Sequence, residues 1–164
     1  MLRAMGKGRP TLAGVLVLSL ALGAAAGPAL PPLPAGVASL AFSDFFAPIG
    51  RRGLEYSEQL LSLDGRRVRI LGFMVQQEAA LPGRFLFAPR PLALHESEYG
   101  LADDLPAATL LVEAPADAGR MLPFTPGPLL LTGTLRLGNR EEPDGRVSTV
   151  RLVLDPPSIS GSQR

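Results

Sequence analysis

Residues 62-SLDGRRVRILGFMVQQE-78 constrain the fold more than any other stretch, because basic and apolar side chains alternate there with a period of two. A β-strand places successive residues on opposite faces, so Val68 and Ile70 are expected inside, with Arg67 and Arg69 in solvent. The pattern resumes as Phe73 and Val75, with Gly72 at the break in phase. This predicts one long strand over 66–76, bent or bulged at that glycine.

Short apolar runs separated by turn residues continue along the chain. Phe85–Ala88 follows a Pro82-Gly83 turn, and Ala108–Glu113, Leu129–Leu137 and Val147–Leu154 complete a set of five expected strands. Between the last two, 138-GNREEPDGR-146 reads as a charged hairpin tip, with Pro143-Asp144-Gly145 supplying the turn. One short helix is expected within Tyr56–Leu63, capped by Ser57, and a helical turn at Phe42–Phe46. Five strands, two mid-strand glycines and one helix predict a mainly β fold, a small OB-like Greek-key barrel; an open sandwich is the structural alternative.

The first 26 residues carry Arg3, Lys7 and Arg9, then an apolar run ending in Ala24-Ala25-Ala26. That pattern is a secretory signal, too short to span a bilayer, with cleavage expected after Ala26. Residues 27–39 (GPALPPLPAGVAS) are uncharged and rich in Pro, Gly and Ala, the composition of a linker. The expected organisation is therefore signal 1–26, linker 27–39, domain 40–156 and loose tail 157–164. A periplasmic location follows, with no stable membrane span in the mature chain. The sequence has no cysteine, so neither a disulfide nor a lipid anchor on an N-terminal cysteine is available.

Charge then narrows the partners. The chain has 16 Lys and Arg against 15 Asp and Glu; three of the bases leave with the signal, so 13 face 15, a balance of about −2. Such a domain lacks the positive field that dominates nucleic-acid binding. Stacking platforms are also scarce, with no Trp and only two Tyr. Arg67 and Arg69 are nevertheless candidate contacts, since the strands and loops of OB folds commonly take ligands.

The second candidate is the long connection 90-RPLALHESEYGLADDLPA-107. It holds the sole histidine, His95, together with Glu96, Glu98, Tyr99, Asp103 and Asp104. Imidazole and carboxylates are ordinary ligands for divalent ions, yet the spacing matches no compact metal motif. A long loop on a small fold is where binding residues concentrate. For catalysis the inventory is poor: His95 has no evident nucleophile beside it, and neither a Walker-type phosphate loop nor a dinucleotide fingerprint is present. The chain is not expected to be an enzyme, and no cofactor is implied.

The run LDGRRVRILGFMVQQE followed by GRFLFAP resembles the core of the DUF3299 family, in which a strand of the form LDGK-V-I-GFM-P-E precedes FLLVP. Phe85-Leu86-Phe87-Ala88-Pro89 matches the second element, and His95 falls near the family histidine. Leu94 or a neighbour stands where the family has cysteine, and HESEYGLADDLP replaces its proline-rich segment. The resemblance implies a small exported bacterial protein, an accessory of ABC-type export systems. Two functions are thus expected of the chain: a non-catalytic envelope module contacting a protein partner, or a periplasmic carrier of a small ligand or divalent metal through the 90–107 loop.

Overall fold

A computed structural model describes residues 30–78, 80–94 and 105–156. The folded unit begins at Pro32. It contains β1 (Ala38–Leu40), one helix α1 (Glu58–Ser62), β2 (Arg67–Met74), β3 (Gln76–Gln77), β4 (Arg84–Ala88), β5 (Ala93–Leu94), β6 (Leu110–Glu113), β7 (Pro128–Glu141) and β8 (Val147–Leu154). All five expected strands are present. β1 begins within the stretch read as linker, at Ala38, and ends on the first residue assigned to the domain, pairing in parallel with β2. No described helix is long and apolar enough to cross a membrane.

The main sheet has six strands in the order β1-β2-β4-β6-β8-β7, and β7 pairs again with β2. The pairings β2–β4–β6–β8–β7–β2 therefore close a ring. Its parallel member is β6–β8; the other four are antiparallel. Inside lie Val68, Ile70, Phe87, Leu110, Val112, Leu131, Leu135, Val150 and Leu152, all essentially inaccessible to water. Each such side chain contributes roughly 1.5–3 kcal/mol by leaving solvent. Helix α1 adds Leu60 to this core and is capped as expected, the Ser57 hydroxyl accepting from the Leu60 amide at 3.0 Å. The turn before it delivers Phe45, whose ring stacks on Phe42.

Gly72 corrects one expectation. Register runs unbroken through it, Leu71 opposite Leu130 and Gly72 opposite Leu129, so the strand has no bulge there. The inward set is Val68, Ile70, Gly72 and Met74, and the phase changes only at Val75, which is buried next to Met74. A Cβ on Gly72 would lie 2.5 Å from the Phe42 ring, 2.7 Å from the Phe87 ring and 2.8 Å from the Ala88 carbonyl oxygen. The glycine makes room for two aromatic rings. The one bulge of the β7–β8 pair falls later, between Leu137 and Arg140, and beyond it β7 continues to Glu141. The expected hairpin tip is correspondingly shorter, a tight turn in which the Gly145 amide donates to the Glu142 carbonyl at 2.9 Å.

Candidate functional site

The alternation that buries Phe85, Phe87, Leu110 and Val112 turns the intervening residues outward. In the β4–β6 register Leu86 faces Leu111 and Arg84 faces Glu113. This outer surface floors a cleft of about 370 Å³. One wall comes from Gln77, Glu78 and Leu81, and the others from Leu94, from 105–109 and from the 142–148 turn and strand. Gly83 aims Arg84 at it. With φ +66° and the Ala118 Cα only 2.6 Å from where a Cβ would stand, this turn position accepts glycine alone.

At one end of the cleft Arg84, Glu142 and Ser148 belong to a polar network drawn from four strands and a turn, whose other members, Arg140 and Glu113, do not line it. Arg140 of β7 pairs with Glu113 and forks onto Glu142, with Nε 2.9 Å from one carboxylate oxygen and Nη2 3.0 Å from the other. The Ser148 hydroxyl also donates to Glu142. Glu142 is only 5% exposed, a burial that an unpaired carboxylate would not tolerate. Arg84 adds its charge, its Nε lying 3.5 Å from Glu113 and 4.0 Å from Glu142. Hydrogen bonding to Glu113, reinforced by Glu142, raises the Arg140 guanidinium above its ordinary value against the opposing effect of burial. In the turn, burial pushes the Asp144 carboxyl up, but the hydrogen bonds and charge of Arg146, 2.7 Å away, outweigh it and hold the group below its usual range.

Arg151 is buried for a different reason. Its guanidinium reaches the β7 bulge, donating to the Gly138 carbonyl at 2.7 Å and to the Ser148 carbonyl and hydroxyl at 3.1 Å each. A bulge leaves carbonyls without ladder partners, and this arginine supplies one from the adjacent strand. It thereby steadies the strand end that carries Arg140 and Glu142.

No protein-family model and no curated protein matches the sequence. The chain is similar to a DUF3299 protein. The comparison is with a 2.45 Å crystal structure from Pseudomonas aeruginosa PAO1, at 14% identity and a TM-score of 0.46, covering 77% of this chain and 97% of that one. It is the family that the 62–78 and 83–89 motifs resemble.

The residues singled out from the sequence are distributed differently from this cleft. Arg67 is on the outer side of β2 and pairs with Asp155, Nε to carboxylate 3.0 Å. Arg69 is half-buried and donates to the Pro32 carbonyl at 2.9 Å, so it does not stand free in solvent as expected. Both side chains are engaged within the chain, and neither lines the cleft. His95, Glu96, Glu98, Tyr99, Asp103 and Asp104 lie outside the described residues. Among the described residues no group of three or more His, Cys, Asp or Glu gathers in a way that would hold a metal ion.

Sequence reasoning missed Arg84, Glu113, Arg140 and Glu142. The charge density of 138–146 was the available signal, and it reads equally as a solvated tip. The buried network arises because Glu113 and Arg84 come to the same spot from strands elsewhere in the chain.

Proposed function

We propose that this protein is an exported, non-catalytic OB-like barrel that serves as a binding module of the bacterial cell envelope, holding a segment of a protein partner such as an ABC-type export system. The observation that carries this reading is the cleft of about 370 Å³ over β4 and β6, with an apolar floor and a charged end. Recognition sites typically occupy roughly 300–1,000 Å³ and combine apolar lining with a few placed polar groups. The closed ring of pairings supports the barrel reading, and in that ring β4 and β6 are the second and third strands, the usual binding face of OB folds. The basic, apolar and small-residue sections of 1–26 support export.

The test is photo-crosslinking in cells from position 147, at the cleft rim and 60% exposed, compared with position 49, 80% exposed and away from the cleft. Adducts from position 147 that disappear when Leu111→Trp fills the floor are expected. Equal adducts from position 49, insensitivity to Leu111→Trp, or no adduct at all would sink the proposal.

A further inference from the structure

Resting on the binding-module reading, we infer that the cleft captures the free C-terminus of an extended, apolar peptide, with Arg84 receiving its carboxylate. Arg84 differs from its neighbours. Arg140, Arg146 and Arg151 each spend guanidinium nitrogens on close hydrogen bonds within the chain. Arg84 approaches Glu113 and Glu142 at ion-pair distance, with Nε 3.5 Å and 4.0 Å away, and its side chain makes no hydrogen bond to a described residue. Those two carboxylates already accept from Arg140 and Ser148. The two terminal nitrogens of Arg84 are left uncommitted on a side chain 31% exposed at the cleft wall. A planar fork of donors with no acceptor matches a carboxylate in bidentate geometry.

The other end of the floor supplies a second polar anchor. Thr109 lines the cleft, and its hydroxyl oxygen is buried without a hydrogen-bond partner. A buried hydroxyl in that condition costs free energy until a ligand completes it. Between the anchors lie Leu86 and Leu111, opposite each other in register. Glu113, beside Arg84, and Thr109 are separated by four positions along one strand direction, about 13 Å at the usual rise. That is the length of roughly four extended residues, whose main chain offers an amide to Thr109 while apolar side chains cover the leucines. Asp144 is paired with Arg146, Glu113 and Glu142 share Arg140, and Glu78 on the facing wall is engaged in an interaction of its own, so the incoming carboxylate competes with Glu113 for Arg84.

Calorimetric titration of the full chain with the peptide Ala-Val-Leu-Leu as free acid and as C-terminal amide tests this. The acid is expected to bind roughly tenfold tighter than the amide, the scale of one charge-assisted bidentate contact. Arg84→Gln should abolish the preference, Arg84→Lys should keep part of it, and Thr109→Val should weaken both peptides alike. Circular dichroism melts of each variant separate loss of binding from loss of fold. Equal binding of acid and amide, a preference that survives Arg84→Gln, or no binding of either peptide overturns the inference. Dodecanoate binding that competes with the free acid and is the tighter of the two would overturn it in favour of an acyl carboxylate. If the position-147 adducts appear while the peptides fail, the C-terminal chemistry is wrong and the binding module stands; if both fail, both fall.

Discussion

Two arginine-bearing faces of the same sheet behave differently. On β2, Arg67 meets a single carboxylate at the surface and Arg69 a backbone carbonyl. Across β4, β6 and β7, Arg84 and Arg140 converge with Glu113 and Glu142 into a network whose central carboxylate is buried. An exposed ion pair gains little, because water and salt screen it. A desolvated one is costly to break, because whichever partner remains has lost both its counter-charge and its hydration. The first face is therefore replaceable and the second is structural, leaving Arg84 as the member with donors to spare.

The largest expected effect is at the buried carboxylate. Glu142→Ala removes the acceptor of Arg140 and Ser148 and should lower stability by about 2–3 kcal/mol in urea unfolding, less than a fully buried pair because Arg140 reaches solvent. A loss below about 0.5 kcal/mol would erase the distinction between the faces. Next come paired double-mutant cycles. Arg140→Gln with Glu113→Gln should couple by about 1–2 kcal/mol, and Arg67→Gln with Asp155→Asn by about 0.2–1 kcal/mol. Loss of the same share of coupling from both pairs in 0.5 M salt would contradict the contrast, since screening should weaken the more exposed Arg67–Asp155 pair further.

The smallest effect is a pH dependence in the turn. Asp144 has a folded value below its unfolded one, so it binds protons less readily in the native state. Its contribution to stability is fully present above the ordinary carboxylate value and is lost as pH falls through the lower folded value. Asp144→Asn should therefore lower stability slightly at pH 7 and lose that deficit as pH falls below about pH 4, which flattens the acid limb of the stability profile. A deficit in the variant that is equal at pH 3 and pH 7 would show that the Arg146 pair plays no part in that limb.

Much of the architecture is legible locally. Alternation located β2, β4, β6, β7 and β8, because a period of two is a property of the strand itself. Ser57 marked the start of α1 because its hydroxyl accepts an amide three residues on. Gly72 is instructive in the other direction. A glycine within a strand signals either a bulge or a close approach, and only the positions of Phe42 and Phe87 tell which applies. Arg69 likewise has an outward phase in the sequence, but its surroundings depend on Pro32, a residue that pairs with nothing in the local pattern.

By itself, then, the sequence determined where the five strands of the ring and the helix lie and which side of those strands is apolar. The tertiary structure alone decided that the ring of pairings closes, that Arg84 and Glu113 stand opposite each other, and that Glu142 is buried beneath Arg140. Periodicity and capping act over a few residues. A cleft and its charges depend on register between strands far apart in the chain, which is set by the packing of the whole core.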